Sequence, residues 1–127
     1  MEPAIHRFSD AEEFYLDHGC HIRELSSTSN DEAVSIARAR VEPGVTTRWH
    51  RLQGIVERYL ILAGEGVVEV GDLDPTSVTA GDTVIIPPDC PQRIQNTDER
   101  DLLFLAICSP RFDPAAYLDT EPPAGEV

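Results

Sequence analysis

The sequence predicts an all-β domain, a sandwich or a barrel, on three observations. Short runs of β-branched and apolar residues recur at close intervals, each stopped by Gly, Pro or Asp. No stretch carries the sustained 3.6-residue periodicity of an amphipathic helix, so a parallel sheet flanked by helices is disfavoured. A chain of 127 residues has room for one hydrophobic core.

The elements follow in order. Ser9 caps an expected short helix over residues 9–15, with Glu12 as the reciprocal partner of a capping box. Strand character begins near His21. Residues 34–41 form a strand of small and β-branched residues that ends at the turn Glu42-Pro43-Gly44. Residues 58–62 form the next, stopped at Gly64-Glu65-Gly66, and residues 67–70 follow as far as Gly71-Asp72. Residues 77–79 lead to Gly81-Asp82, and residues 83–86 run into Pro87-Pro88. Residues 92–95 and 102–107 complete the set across a polar loop. Asp113 followed by Pro114 starts a second short helix, as cap and first helical residue. Residues 120–127, rich in Pro, Glu and Gly, read as a disordered tail.

Composition narrows the partners. Ten basic residues, all Arg, face 23 acidic ones, for a net charge of −13. Such a surface repels phosphate backbones and anionic headgroups, so neither nucleic acid nor membrane is an expected partner. No apolar run approaches the roughly 20 residues needed to span a bilayer, and the first residues lack the apolar core of a signal peptide. The three cysteines share no CxxC spacing, which disfavours a disulfide framework or a zinc ribbon. The expected location is the cytoplasm.

One constellation carries chemistry. Gly44 is followed after five residues by His50, then come Arg51, Leu52, four residues and Glu57, with Gly64 after six more. Further on, Gly81 precedes Pro87 by five intervening residues, and Gln92 and Asn96 follow. On these positions the chain resembles the cupin superfamily. The first motif of that family runs glycine, five residues, histidine, any residue, histidine, three or four residues, glutamate, six residues, glycine. Its second runs glycine, five residues, proline, any residue, glycine, two residues, histidine, three residues, asparagine. The resemblance implies a double-stranded β-helix, the jelly-roll barrel, over residues 20–112. Residues 1–19 are then an N-terminal extension with a short helix, and residues 113–127 a C-terminal helical turn and tail. It also implies a small-molecule ligand, a homodimer paired through open sheet edges, and one divalent metal such as iron, manganese, nickel or zinc.

Three positions depart from the motifs. Leu52 and Gln92 stand where histidines would be, and Asp89 where a glycine would be. A metal on His50, Glu57 and Gln92 would have one imidazole, one carboxylate and one amide oxygen, and would bind loosely. Residues seven apart on an unbroken strand face opposite sides, so His50 and Glu57 share an interior only if the strand breaks between them, and Gln53-Gly54 offers the break. Leu52 lies on the face of His50 regardless. The expected pocket is His50, Glu57 and Gln92 with Leu52, Tyr59 and Arg93, the arginine suiting an anionic group. Structural alternatives are a hydrogen-bonded His50, a Glu57 paired with Arg48 or Arg93, and a hydrogen-bonded core amide at Gln92. Nothing in the sequence decides whether His18 or His21 enters the cavity.

Three functions compete on this reading. The first is an enzyme with a weakened metal site. The second is a metal-free isomerase, epimerase or lyase with His50 and Glu57 as an acid–base pair. The third is a module that binds a small ligand without turning it over.

Overall fold

The computed structural model describes residues 1–123. Eleven strands among them form two antiparallel sheets. They are β1 (Glu13–Leu16), β2 (Cys20–Ser26), β3 (Ser35–Val41), β4 (His50–Leu52), β5 (Val56–Ala63) and β6 (Glu65–Val70). After these come β7 (Thr76–Thr79), β8 (Thr83–Ile86), β9 (Gln92–Asn96), β10 (Leu102–Ser109) and β11 (Tyr117–Asp119). The larger sheet has the order β1-β2-β3-β10-β5-β8, and the smaller β11-β4-β9-β6-β7.

Alternation decides which side chains go inside. Along β5, Glu57, Tyr59 and Ile61 are buried while Arg58, Leu60 and Leu62 face outward. Along β9, Gln92, Ile94 and Asn96 are buried and Arg93 and Gln95 are not. The register aligns Leu102 with Val41 and Phe104 with Ile61. These four residues, with Ile94, are at most 1% exposed and form the solid end of the interior. The opposite ends of β3, β5 and β10 carry smaller or polar residues, and there the interior opens into a cavity. On the outer face, Leu62 and the edge residue Ile85 are exposed.

The motif positions have identifiable duties. A side chain on Gly64, at φ +88°, would meet the backbone of Asp101 at 2.9 Å and Leu102 at 3.1 Å. Asp89, where the family motif has glycine, takes a left-handed φ of +63°, which aspartate tolerates better than most residues. Asn96 is fully buried and donates to the carbonyls of Val41 and Arg100, tying the end of β3 and the loop before β10 to β9.

Both chain ends depart from expectation. Only Phe8–Asp10 is helical near the start, as a 3-10 turn, and Glu13–Leu16 is strand β1 instead of helix. Cross-strand partners outweigh the local capping box: Glu13 is bound by Arg38 and Arg40 of β3, which hold its carboxyl down at about 2. At the other end Asp113 does cap, accepting from the Ala115 N–H at 3.0 Å, but the helix is one 3-10 turn, Pro114–Ala116. The chain then adds β11 to β4, so the sheets extend beyond both boundaries expected for the barrel. Residues 120 and 121 are not a free tail. The Thr120 N–H donates to the Trp49 carbonyl, and Glu121 accepts from the Trp49 N–H. Residues 124–127 lie outside the described residues. No helix among the described residues is long and apolar enough to cross a membrane.

Candidate functional site

A cavity of about 350 Å3 lies between the sheets. Of the residues expected there, His50, Leu52, Glu57 and Tyr59 line it. Gln92 is 1% exposed and reaches Glu57 from behind the wall. The chain does break between His50 and Glu57, at the turn around Gly54 (φ +72°). His50 therefore comes from the smaller sheet and Glu57 from the larger.

A hydrogen-bonded chain joins the two sheets. The Tyr59 hydroxyl donates to the Gln92 Oε1. Gln92 Nε2 donates to Glu57 Oε1 at 2.7 Å, and the Cys108 thiol donates to Glu57 Oε2 at 3.6 Å. Glu57 thus has neutral donors and no arginine, neither Arg48 nor Arg93. Burial pushes its carboxyl above the ordinary range, and the bonds from Gln92 and Cys108 only partly oppose this. His50 is arranged the other way. Its Nδ1 lies 2.9 Å from the Arg48 carbonyl, which can only accept, so Nδ1 carries the proton and Nε2 the free lone pair. Burial lowers the pKa of this ring. Burial therefore shifts Glu57 toward its protonated form and His50 toward its neutral form.

A second imidazole-bearing position, which the sequence left open, belongs to the site. His18 lines the cavity and His21 does not. The Leu16–Cys20 pairing closes a β1-β2 hairpin through Asp17-His18-Gly19, with Gly19 at φ +98°, and so puts His18 at its tip. Cys20 and Ile22 line the cavity, so by alternation His21 faces away, within 2.9 Å of Glu42. The His18, His50 and Tyr117 rings lie within 25° of parallel, with centroids 4.9–5.8 Å apart. The triangle places Tyr117 against both imidazoles. Its hydroxyl is buried with no hydrogen-bond partner among the described residues. Sequence reading missed Tyr117 because β11 has only three residues, too few to show alternation.

Burial, then the neighbouring His50, hold His18 down at about 4. Since this lies below the ordinary 6.5, the unfolded chain takes up the proton first. The stabilisation is complete above pH 6.5 and drains away as the pH falls through about 4. It amounts to something on the order of 2 kcal/mol after solvent screening. Glu57, shifted upward, acts in the opposite sense, so the contribution shows best by comparison. Urea unfolding at pH 7 and 4.5 should show a larger acid loss for the wild type than for His18→Asn; equal losses would refute it.

Arg93, expected in the pocket, is not there. Alternation turns it outward from Gln92, and it pairs with Glu69 while its guanidinium sits 4.6 Å from the Trp49 ring centroid. The donor set also fails to suit a divalent ion. Leu52 supplies no donor, the Gln92 oxygen is taken by Tyr59, and its amide hydrogens face the carboxyl that would be the next ligand. No cluster of three His, Cys, Asp or Glu among the described residues has ligand geometry. All three cysteines are free.

Comparison with known proteins is consistent with this architecture. The profile of the Cupin domain family matches residues 37–108. An uncharacterized protein of Methanocaldococcus jannaschii is 36% identical over 105 residues, 81% of each chain. The oxalate-binding protein of Thermotoga maritima is 35% identical over 78 residues, 61% of this chain and 64% of that one. A nucleoside dehydratase of Streptomyces superposes with a TM-score of 0.79 at 16% identity, covering 94% of this chain and 92% of its own, a likeness of fold alone. With its two antiparallel sheets, its spaced motif glycines and a family match across most of β3 to β10, the chain belongs to the cupin family.

Proposed function

We propose that this cupin is a metal-independent enzyme that binds a small carbonyl compound in its cavity, with His50 as proton acceptor and Glu57 as proton donor. The observation that carries the proposal is that two groups of opposite proton readiness line one cavity from opposite sheets. On a β-hydroxy ketone, His50 Nε2 takes the proton from the carbon beside the carbonyl. The electron pair left there forms the C=C bond as the C–O bond to the hydroxyl breaks. Glu57 gives its proton to that hydroxyl, which leaves as water. Oε1 accepts the shorter bond, from Gln92 at 2.7 Å, and Oε2 only the 3.6 Å thiol contact, so the transferable proton is assigned to Oε2. The carboxylate that results keeps the Gln92 N–H and Cys108 S–H bonds. Proton exchange between the imidazolium and the carboxylate resets the pair.

The oxalate-binding relative suggests another reading, a metal-bound dianion, which the donor set described above does not favour. The test is proton NMR of 3-hydroxycyclohexanone in D2O, with elemental analysis of protein incubated with iron, manganese, nickel and zinc. The proposal expects deuterium beside the carbonyl and release of cyclohexenone, lost in both His50→Ala and Glu57→Gln, with no stoichiometric metal. Exchange that needs a bound metal would overturn it. Binding of the ketone without exchange would make the protein a ligand-binding module instead.

A further inference from the structure

The chain has no lysine, and none of its ten arginines lines the cavity. Several are fixed elsewhere by carboxylates: Arg40 by Glu13 and Asp101, Arg48 by Asp119, Arg51 by Asp89, and Arg111 by Glu32. The imidazoles of His18 and His50 are thus the only basic side chains on the cavity wall among the described residues. They lie 5.8 Å apart, nearly parallel, where two positive charges would repel each other. Among the described residues, the carboxyl-bearing ones on the wall are Glu24 and Glu57. Most of the remaining wall is apolar or aromatic, including Leu16, Ile22, Ala39, Phe104, Ala106 and Phe112.

We infer that the cavity selects an uncharged, largely apolar molecule with a hydroxyl or carbonyl at one end, and excludes carboxylates, oxalate among them. The inference deepens the function proposed above and rests on its assumption that the cavity is the ligand site. An anion entering here loses its hydration and meets no fixed cation, with an acidic residue already on the wall. A neutral ring loses little hydration and gains the aromatic and aliphatic wall, while its oxygen can reach a polar residue such as His50 or Glu57. A cation would meet aromatic faces, but the buried carboxyl of Glu57 already accepts from Gln92 and Cys108.

Four probes separate these cases: benzyl alcohol, benzylamine, benzoate and oxalate, titrated at pH 7 into the intact protein by calorimetry and by amide NMR. Benzyl alcohol should bind at least tenfold more tightly than each of the other three, and should shift signals of cavity residues such as Phe104 and Ala106. Leu52→Arg, which brings a guanidinium to the wall, should narrow or reverse the preference for benzyl alcohol over benzoate. Should that variant misfold, the wild-type ranking still decides. Benzoate, oxalate or benzylamine binding as well as the alcohol would overturn the inference, as would no binding of the alcohol at millimolar concentration. Deuterium exchange into the ketone can succeed or fail independently of this ranking, so the two proposals fall separately.

Discussion

Replacing Gln92 with methionine is expected to destabilise the protein by about 3 kcal/mol, although the two side chains are nearly equal in volume. Gln92 is 1% exposed and is the link between Tyr59 and Glu57. Methionine fills its space but returns neither bond. The Tyr59 hydroxyl and one Glu57 oxygen are then stranded where water does not replace the amide. A double-mutant cycle gives the sharper check. Tyr59→Phe removes one of the stranded groups, so Tyr59→Phe with Gln92→Met should cost clearly less than the sum of the two single changes. Urea unfolding reads all four proteins. A Gln92→Met variant within 1 kcal/mol of wild type, or strict additivity, would mean that the amide is packing and not a link.

Phe104→Ala should be costlier still, about 4 kcal/mol. The ring is 1% exposed and tilts against Tyr59 with centroids 4.4 Å apart, so its loss removes both buried area and an aromatic partner. It also stands where the solid core meets the cavity, between Ile61 and Ala39 in the register. The void left by alanine joins the existing one, and the surrounding strands cannot collapse into it. Phe104→Leu refills most of the space and should lose only about 1.5 kcal/mol. A loss under 1 kcal/mol for the alanine variant would show that the wall is pliable. The fixed geometry assumed for His50 and Glu57 would then need revision.

The parts of the fold legible in the sequence were those marked by local chemistry. Gly64 and Gly81 end strands because the backbone there takes positive φ, and such residues show without an alignment. The turn at Gly54 was legible for the same reason, and it explains how residues seven apart meet in one interior. Strand β1 was misread because a capping box is a local signal, whereas the Glu13 bonds to Arg38 and Arg40 join residues far apart in the chain. Arg93 was misplaced although alternation from Gln92 already pointed it outward. The pull toward the pocket came from the chemistry of guanidinium and carboxylate, not from position. Tyr117 and His18 were beyond reach, since their roles arise from a three-residue strand and a hairpin tip meeting above His50.

That meeting sets an order of events in folding. His18 lies near one end of the chain and Tyr117 near the other, and both rings rest on His50. The loop closures that unite them are among the longest this chain can make, so they carry a high entropic cost and are slow to form. A hairpin such as β6-β7 can pair while the ends remain apart. A chain released before Tyr117 can hold much of its sheet structure and still lack a finished wall for the cavity. Ligand capture is therefore a stricter gauge of complete folding than secondary-structure content.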